Sequence, residues 1–132
     1  MKYLLDTDHC IALAKKNPAL IEALRKHPPS KVRASSISVA ELYFGASKSS
    51  HPDAAKANLR RIFKTLLVVP FDEAAAEAYG TARAGLEKRG APIGPLDTLI
   101  AAHALSLGWT LVTHNTREVK RIPTLKVEDW LA

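Results

Sequence analysis

Six oxygen-bearing side chains fall where short apolar runs give way to helical patterns. Asp6 and Asp8 follow "KYLL", Glu41 lies in "ASSISVAELYFG", Asp97 in "IGPLDTLIAAHAL", and Asn115 and Glu118 in "LVTHNTREV". Each has an ordinary structural use. Ser38 and Glu41 have the S-x-x-E spacing of a capping box. Asp97 suits the positive end of a helix dipole, and Asp6 or Asp8 can cap the helix that follows. One cap needs only one member of that first pair, however, and as a set the acids are harder to explain as caps. Three carboxylates meeting in one pocket repel by roughly 4 kcal/mol per pair at ~4 Å and an effective dielectric of about 20. Such a cluster calls for a cation.

The donor atoms narrow which cation. Histidines 9, 27, 51, 103 and 114 and the lone Cys10 form no H-x3-H or C-x2-C spacing, so zinc has little support. His103, six residues from Asp97, reads as a packing or surface residue. His9 and His114 flank the same rim, as substrate contacts or ordinary surface histidines. Oxygen donors with room for water suit Mg2+, with Mn2+ as a substitute. Thr7 and Ser36, also at strand ends, can hold a ligand carboxylate by hydrogen bonding or serve as turn residues.

The elements that must position these groups are an alternation of strands and helices. Strands are expected over Lys2–Leu5, Val32–Ser35, Leu67–Pro70, Thr110–Thr113 and Leu125–Val127, where β-branched and apolar residues gather. Helical spacing is expected around Asp8–Lys16, Pro18–Lys26, Ser38–Lys48, Pro52–Leu66, Asp72–Arg89 and Pro95–Leu107. Asp72 can cap the fifth helix and Gly90 close it; the sixth starts with Pro95 at a first-turn position and stops at Gly108. Alternation of this kind predicts an α/β fold, a three-layer α/β/α sandwich around a parallel sheet. Ligands in such sheets sit beyond the carboxyl ends of the strands, near the switch in strand order. Asp6 and Asp8 have that address.

At 132 residues the chain is expected to form a single domain, 1–132. Lys and Arg exceed Asp and Glu by 19 to 13, a formal charge of +6. The excess lies in doublets such as Lys15/Lys16, Arg60/Arg61, Lys88/Arg89 and Lys120/Arg121. These read as solvated helix faces or as a footprint for a polyanion such as RNA. Acids that hold a divalent ion beside a basic surface point to phosphodiester hydrolysis. One cysteine fits a reducing compartment. Lys2 is followed by only three apolar residues before Asp6, so no secretory leader is expected. No stretch approaches the ~18 apolar residues of a membrane span. The expected location is the cytoplasm.

With these residues assembled, the chain resembles PIN-domain endoribonucleases of the VapC toxin type, nearly end to end. The resemblance is carried by "LLDTD", "SSISVAELYFGA", "PIGPLDTLIAAHAL", "LVTHNTREV" and "VEDW", in that order. It implies a Mg2+-dependent ribonuclease with Asp6, Glu41 and Asp97 as its acidic triad, Asp6 and Asp97 being the principal metal ligands. Asn115 takes a fourth position where relatives often carry an acid, and Glu118 is the other claimant to it. Asp8, His114 and Val119 stand where Asn, Asn and Phe are frequent. A cognate antitoxin, a homodimer and an RNA substrate are also implied. The stretch from "RGAPIGPLD" to "VEDW" is most similar to the subgroup that cuts initiator tRNA in its anticodon loop. Arg83, Lys88, Arg89 and Arg117 are candidate phosphate contacts. Two other readings are kept: a non-catalytic RNA-binding module of the same fold, and a phosphatase of the haloacid-dehalogenase type suggested by Asp6-x-Asp8. The second expects Thr or Val where this chain has Cys10.

Overall fold

The computed structural model describes residues 1–131. Its elements in chain order are β1 (Tyr3–Leu5), α1 (Thr7–Ala14), α2 (Pro18–Arg25), a 3-10 turn (Pro29–Lys31), β2 (Val32–Ser35), α3 (Ser36–Ser47), α4 (Pro52–Ile62) and β3 (Val68–Val69). There follow α5 (Glu73–Lys88), α6 (Pro95–Leu107), β4 (Thr110–Val112), α7 (Thr116–Val119) and β5 (Val127–Glu128). All strand pairs are parallel and the sheet order is β3-β2-β1-β4-β5.

Side chains on a strand alternate between faces, and in β1 both faces are buried. Tyr3 and Leu5 join Val32, Ala34 and Val112 in a core under α1 to α4, which includes Leu20, Leu42 and Leu59. Leu4 and Leu111 join the opposite core with Leu86, Ile100, Ala101 and Ala104 of α5 and α6. This is the expected three-layer sandwich. The chain leaves β1 toward β2 and β3, then returns to add β4 and β5 on the other side. The sheet therefore switches direction at β1, whose carboxyl end is followed directly by Asp6.

Several boundaries move, and caps explain most of them. Helix α3 begins at Ser36 rather than Ser38 because Ser35 accepts from the Ile37 amide at 3.1 Å. Helix α4 stops at Ile62 rather than Leu66; Thr65 and Leu66 amides both turn back to the Ile62 carbonyl. The β3 strand is only Val68–Val69, and β5 is Val127–Glu128, starting two residues later and ending one residue later than expected. Helix α7, a single turn, was outside the expected set. Gly108, with φ 69°, ends α6 as expected, in a left-handed conformation that suits a residue without Cβ.

Candidate active site

Asp6 leaves β1 as the N-cap of α1. Its Oδ1 accepts from the His9 amide at 2.9 Å and from His9 Nδ1 at 2.8 Å. The cap reading of Asp6 is thus correct, and the side chain also lines a cleft of about 320 Å3. Thr7, Asp8, Glu41, Asp97 and the Gly94–Leu96 segment complete that cleft. Four carboxylates from β1–α1, α3 and α6 therefore open onto one space.

Glu41 is not a capping-box residue. Ser35 is the cap, which puts Glu41 in the second turn of α3, too far along to reach the helix start. Its Oε1 instead accepts from Thr7 Oγ1 at 2.6 Å, and Thr7 Oγ1 is also 3.2 Å from Ser38 Oγ. Of the two uses open to Thr7, it takes the first and holds the Glu41 carboxylate. Ser36 does not: its Oγ accepts from the Phe71 amide at 2.9 Å and so ties the α3 start to the segment after β3. The buried serine beside Thr7 is Ser38, two residues on.

Asp97 sits in the first turn of α6 and is half-buried. The Asn115 side-chain amide donates to Asp97 Oδ2 at 2.9 Å and to Glu118 Oε2 at 3.2 Å. Carboxylates only accept, so the NH2 end of Asn115 must face them. Its nitrogen thus bridges the two acids, which puts a neutral donor between Asp97 and Glu118 at the fourth position. Glu118 belongs to the same cluster, one helical turn on in α7, and is not a stray surface acid.

Burial raises the Asp97 carboxyl above its ordinary pKa. The Asn115 bond pulls it down, and the charges of Asp6, Asp8 and Glu118 push it further up. These acids therefore feel one another. Among the described residues, no Lys or Arg pairs with any acid of the cleft. Nor are three metal-binding side chains already drawn in around one point. An oxygen-only cleft of uncompensated charge, too open to form an all-protein cage, fits a divalent ion that keeps part of its water shell.

The histidines separate sharply. His103 is buried with Nδ1 2.9 Å from Ser35 Oγ and its ring edge-on to Phe71, the packing role expected. His114 is exposed and bonds Asp129 Oδ2 at 2.8 Å. His9, expected at the surface, is wholly buried beneath Asp6. Sequence reasoning missed it because its carboxylate partner is three residues away and its other neighbour is Trp130.

The basic candidates scatter. Arg83 bonds Glu87 and Tyr79 on α5 and borders a hollow of about 140 Å3 that shares Pro95 with the acidic cleft. Arg89 donates to the Arg121 carbonyl at 2.9 Å and lines a larger groove along α5, about 560 Å3, that contains none of the cleft acids. Lys88 and Arg117 are exposed, Arg117 one residue before Glu118.

Comparison with known proteins identifies the family and fold. The PIN domain family model matches residues 3–125. A protein of Shigella flexneri named tRNA(fMet)-specific endonuclease VapC is 39% identical over 130 residues, 98% of each chain. Ribonuclease VapC2 of Haemophilus influenzae is 38% identical over 131 residues, 99% of each chain. The structure superposes with a TM-score of 0.92 and 40% identity on a chain of the DNA-bound VapBC complex from Salmonella typhimurium, covering 98% of both chains.

Proposed function

This chain belongs to the PIN-domain family, and from that footing we propose that it is a metal-dependent endoribonuclease, the VapC-type toxin of a toxin–antitoxin module. The observation that carries the reading is the joint opening of Asp6, Asp8, Glu41 and Asp97 onto one cleft with which, among the described residues, no Lys or Arg forms an ion pair. The haloacid-dehalogenase reading gives way to the family match.

Asp6 and Asp97 would hold a divalent ion, Mg2+ with Mn2+ as substitute, and Glu41 would act through water. Such an ion supplies Lewis acidity toward a phosphodiester and neutralises the charge that develops as it is cleaved. The chain's own residues do the rest. The His9 backbone amide caps Asp6, Thr7 fixes Glu41, and Asn115 holds Asp97 against Glu118. Hydrolysis by water in line with the leaving 3′ oxygen leaves a 5′-phosphate and a 3′-hydroxyl. Asp8, exposed at the mouth, faces arriving substrate rather than the floor.

Arg83, in the hollow beyond Pro95, and Arg117, beside Glu118, are the basic residues best placed to contact phosphates that flank the cleft. Lys88 is an exposed further candidate, and Arg89, which lines a groove that holds none of the cleft acids, contributes least. Such contacts give affinity rather than sequence choice, and RNA loops are distinguished by shape and unpaired bases. Likeness to a relative named for tRNA(fMet) makes initiator tRNA the substrate to try first. Likeness to a VapBC complex supports a cognate antitoxin that covers the cleft. We further assign a single domain, a homodimer and a cytoplasmic location. Among the described residues, no helix is long and apolar enough to cross a membrane.

The test is to incubate the protein, freed of antitoxin, with total RNA and Mg2+ or Mn2+ and to map new 5′ ends. Discrete cleavage lost in EDTA and in Asp6→Asn supports the reading. Salt-sensitive RNA binding with no turnover at any divalent concentration would leave only the non-catalytic module.

A further inference from the structure

The cleft chemistry makes no direct use of the buried His9 ring or of the segment around Trp130, yet the two are joined. His9 is 0% exposed. Its Nδ1 lies 2.8 Å from Asp6 Oδ1, and its Nε2 receives the Trp130 backbone N–H at 3.2 Å. A backbone amide can only donate, so Nε2 must accept, and the ring proton resides on Nδ1, aimed at Asp6. Asp129 does not compete for Nε2. Its Oδ1 is 3.6 Å away, beyond hydrogen-bond range, and accepts from the Leu131 amide at 2.9 Å, while Oδ2 takes His114.

Capping α1 requires only the His9 amide. The ring adds a second donor to the same Asp6 oxygen, so Oδ1 is saturated and the carboxylate can present only Oδ2 to the cleft. An apolar side chain in place of His9 would fill the core without the cost of burying an imidazole, a cost met here because both ring nitrogens have partners. The Trp130 ring anchors the far end: its indole stacks on His27 at 4.6 Å and lies 5.1 Å from Tyr3 of β1.

We propose that His9 is a positioning residue for the reaction, and that the backbone at Trp130 sets its tautomer and thereby the orientation of Asp6. The inference rests on the reading that Asp6 acts in the cleft, and it assigns a function to the "VEDW" segment across 121 residues of sequence.

Two amide substitutions divide the ring's two bonds. His9→Asn places a side-chain N–H near the Nδ1 position and abandons Trp130. The longer side chain of His9→Gln reaches the Nε2 position and abandons Asp6. His9→Gln is expected to lower kcat about 10–100-fold with KM for RNA within about twofold, and to weaken Mn2+ binding to the RNA-free protein by a similar factor. His9→Asn is expected to restore most of both. Equal effects of the two variants, or losses that follow the folded fraction, would overturn the proposal. In the unsubstituted protein, 15N-histidine NMR should show His9 as the Nδ1–H tautomer; the Nε2–H form overturns it without any variant. If Asp6→Asn cleaves normally, the cleft reading itself has failed. If Asp6→Asn is dead and His9→Gln is not impaired, only the positioning role has.

Discussion

On the β1 side of the cleft, Asp6 is buried, 5% exposed, and one oxygen takes two hydrogen bonds from a single residue. On the α6 side, Asp97 is half-buried and shares one Asn115 amide with another acid, Glu118. The first wall is fixed by donors that face no competing charge. The second holds like charges together with one neutral clip, and its carboxyl is pushed up by burial and by its acidic neighbours. The first wall is finished by the chain alone; the second waits for a counter-charge. Asp129, behind the first wall, makes the contrast plain. Burial pushes it up, but the Leu131 amide and His114 more than reverse this and leave it below its ordinary pKa.

The largest effects should be on cleavage, and there the walls should look alike: Asp6→Asn and Asp97→Asn both reduce metal-stimulated RNA cleavage to background. Stability should tell them apart. Asp6→Asn keeps a cap acceptor but exchanges charge-assisted bonds for neutral ones, at a cost of about 1 kcal/mol in urea denaturation. Asp97→Asn should have the opposite sign. A carboxyl with a raised pKa in the folded state binds a proton more readily folded than unfolded. Its contribution is fully present below the ordinary carboxylate pKa and is lost as pH rises through the raised value. Asp97→Asn should therefore raise the melting temperature in EDTA at pH 7, and that gain should vanish below about pH 4. A drop at pH 7 would mean that the second wall is as settled as the first.

Asn115→Asp probes the same contrast from the other direction. It replaces the clip by a further carboxylate and should cost about 1–3 kcal/mol in EDTA, with part of the loss recovered by millimolar Mg2+. Equal losses with and without the ion would deny that the second wall wants a cation. The smallest effect belongs to Thr7→Val, which removes the 2.6 Å bond to Glu41. It should cost about 1 kcal/mol of stability and about tenfold in cleavage rate, measured on the same RNA.

Much of this was legible in the sequence, for an identifiable reason. Apolar runs that end in Asp6, Ser35 or Thr113 mark strand ends, and helix starts follow within one to three residues, so sheet, layers and rim follow from local pattern. The acids at 6, 41 and 97 were readable because their types make sense only together. What local pattern could not supply was partner choice. Ser36 and Ser38 are indistinguishable as letters, yet one holds the Phe71 amide and the other sits by Thr7. Asn115 could be seen as a fourth group but not which end of its amide would turn inward. Arg89 looked like a free cation and is occupied by a carbonyl more than thirty residues later. His9 required knowing that position 130 returns beneath position 6, a contact that no periodicity encodes.

The central place of β1 has a consequence for synthesis. This strand is made before both of its neighbours, β2 and β4, and it acquires the second only when residues 110–112 have left the ribosome. Until then β1 is paired along one edge only, and Asn115, which follows β4, is not there to hold Asp97. A chain interrupted just before that point would carry Asp6, Glu41 and Asp97 but neither Asn115 nor Glu118. The wall that wants a counter-charge is thus also the last to be completed as the chain grows.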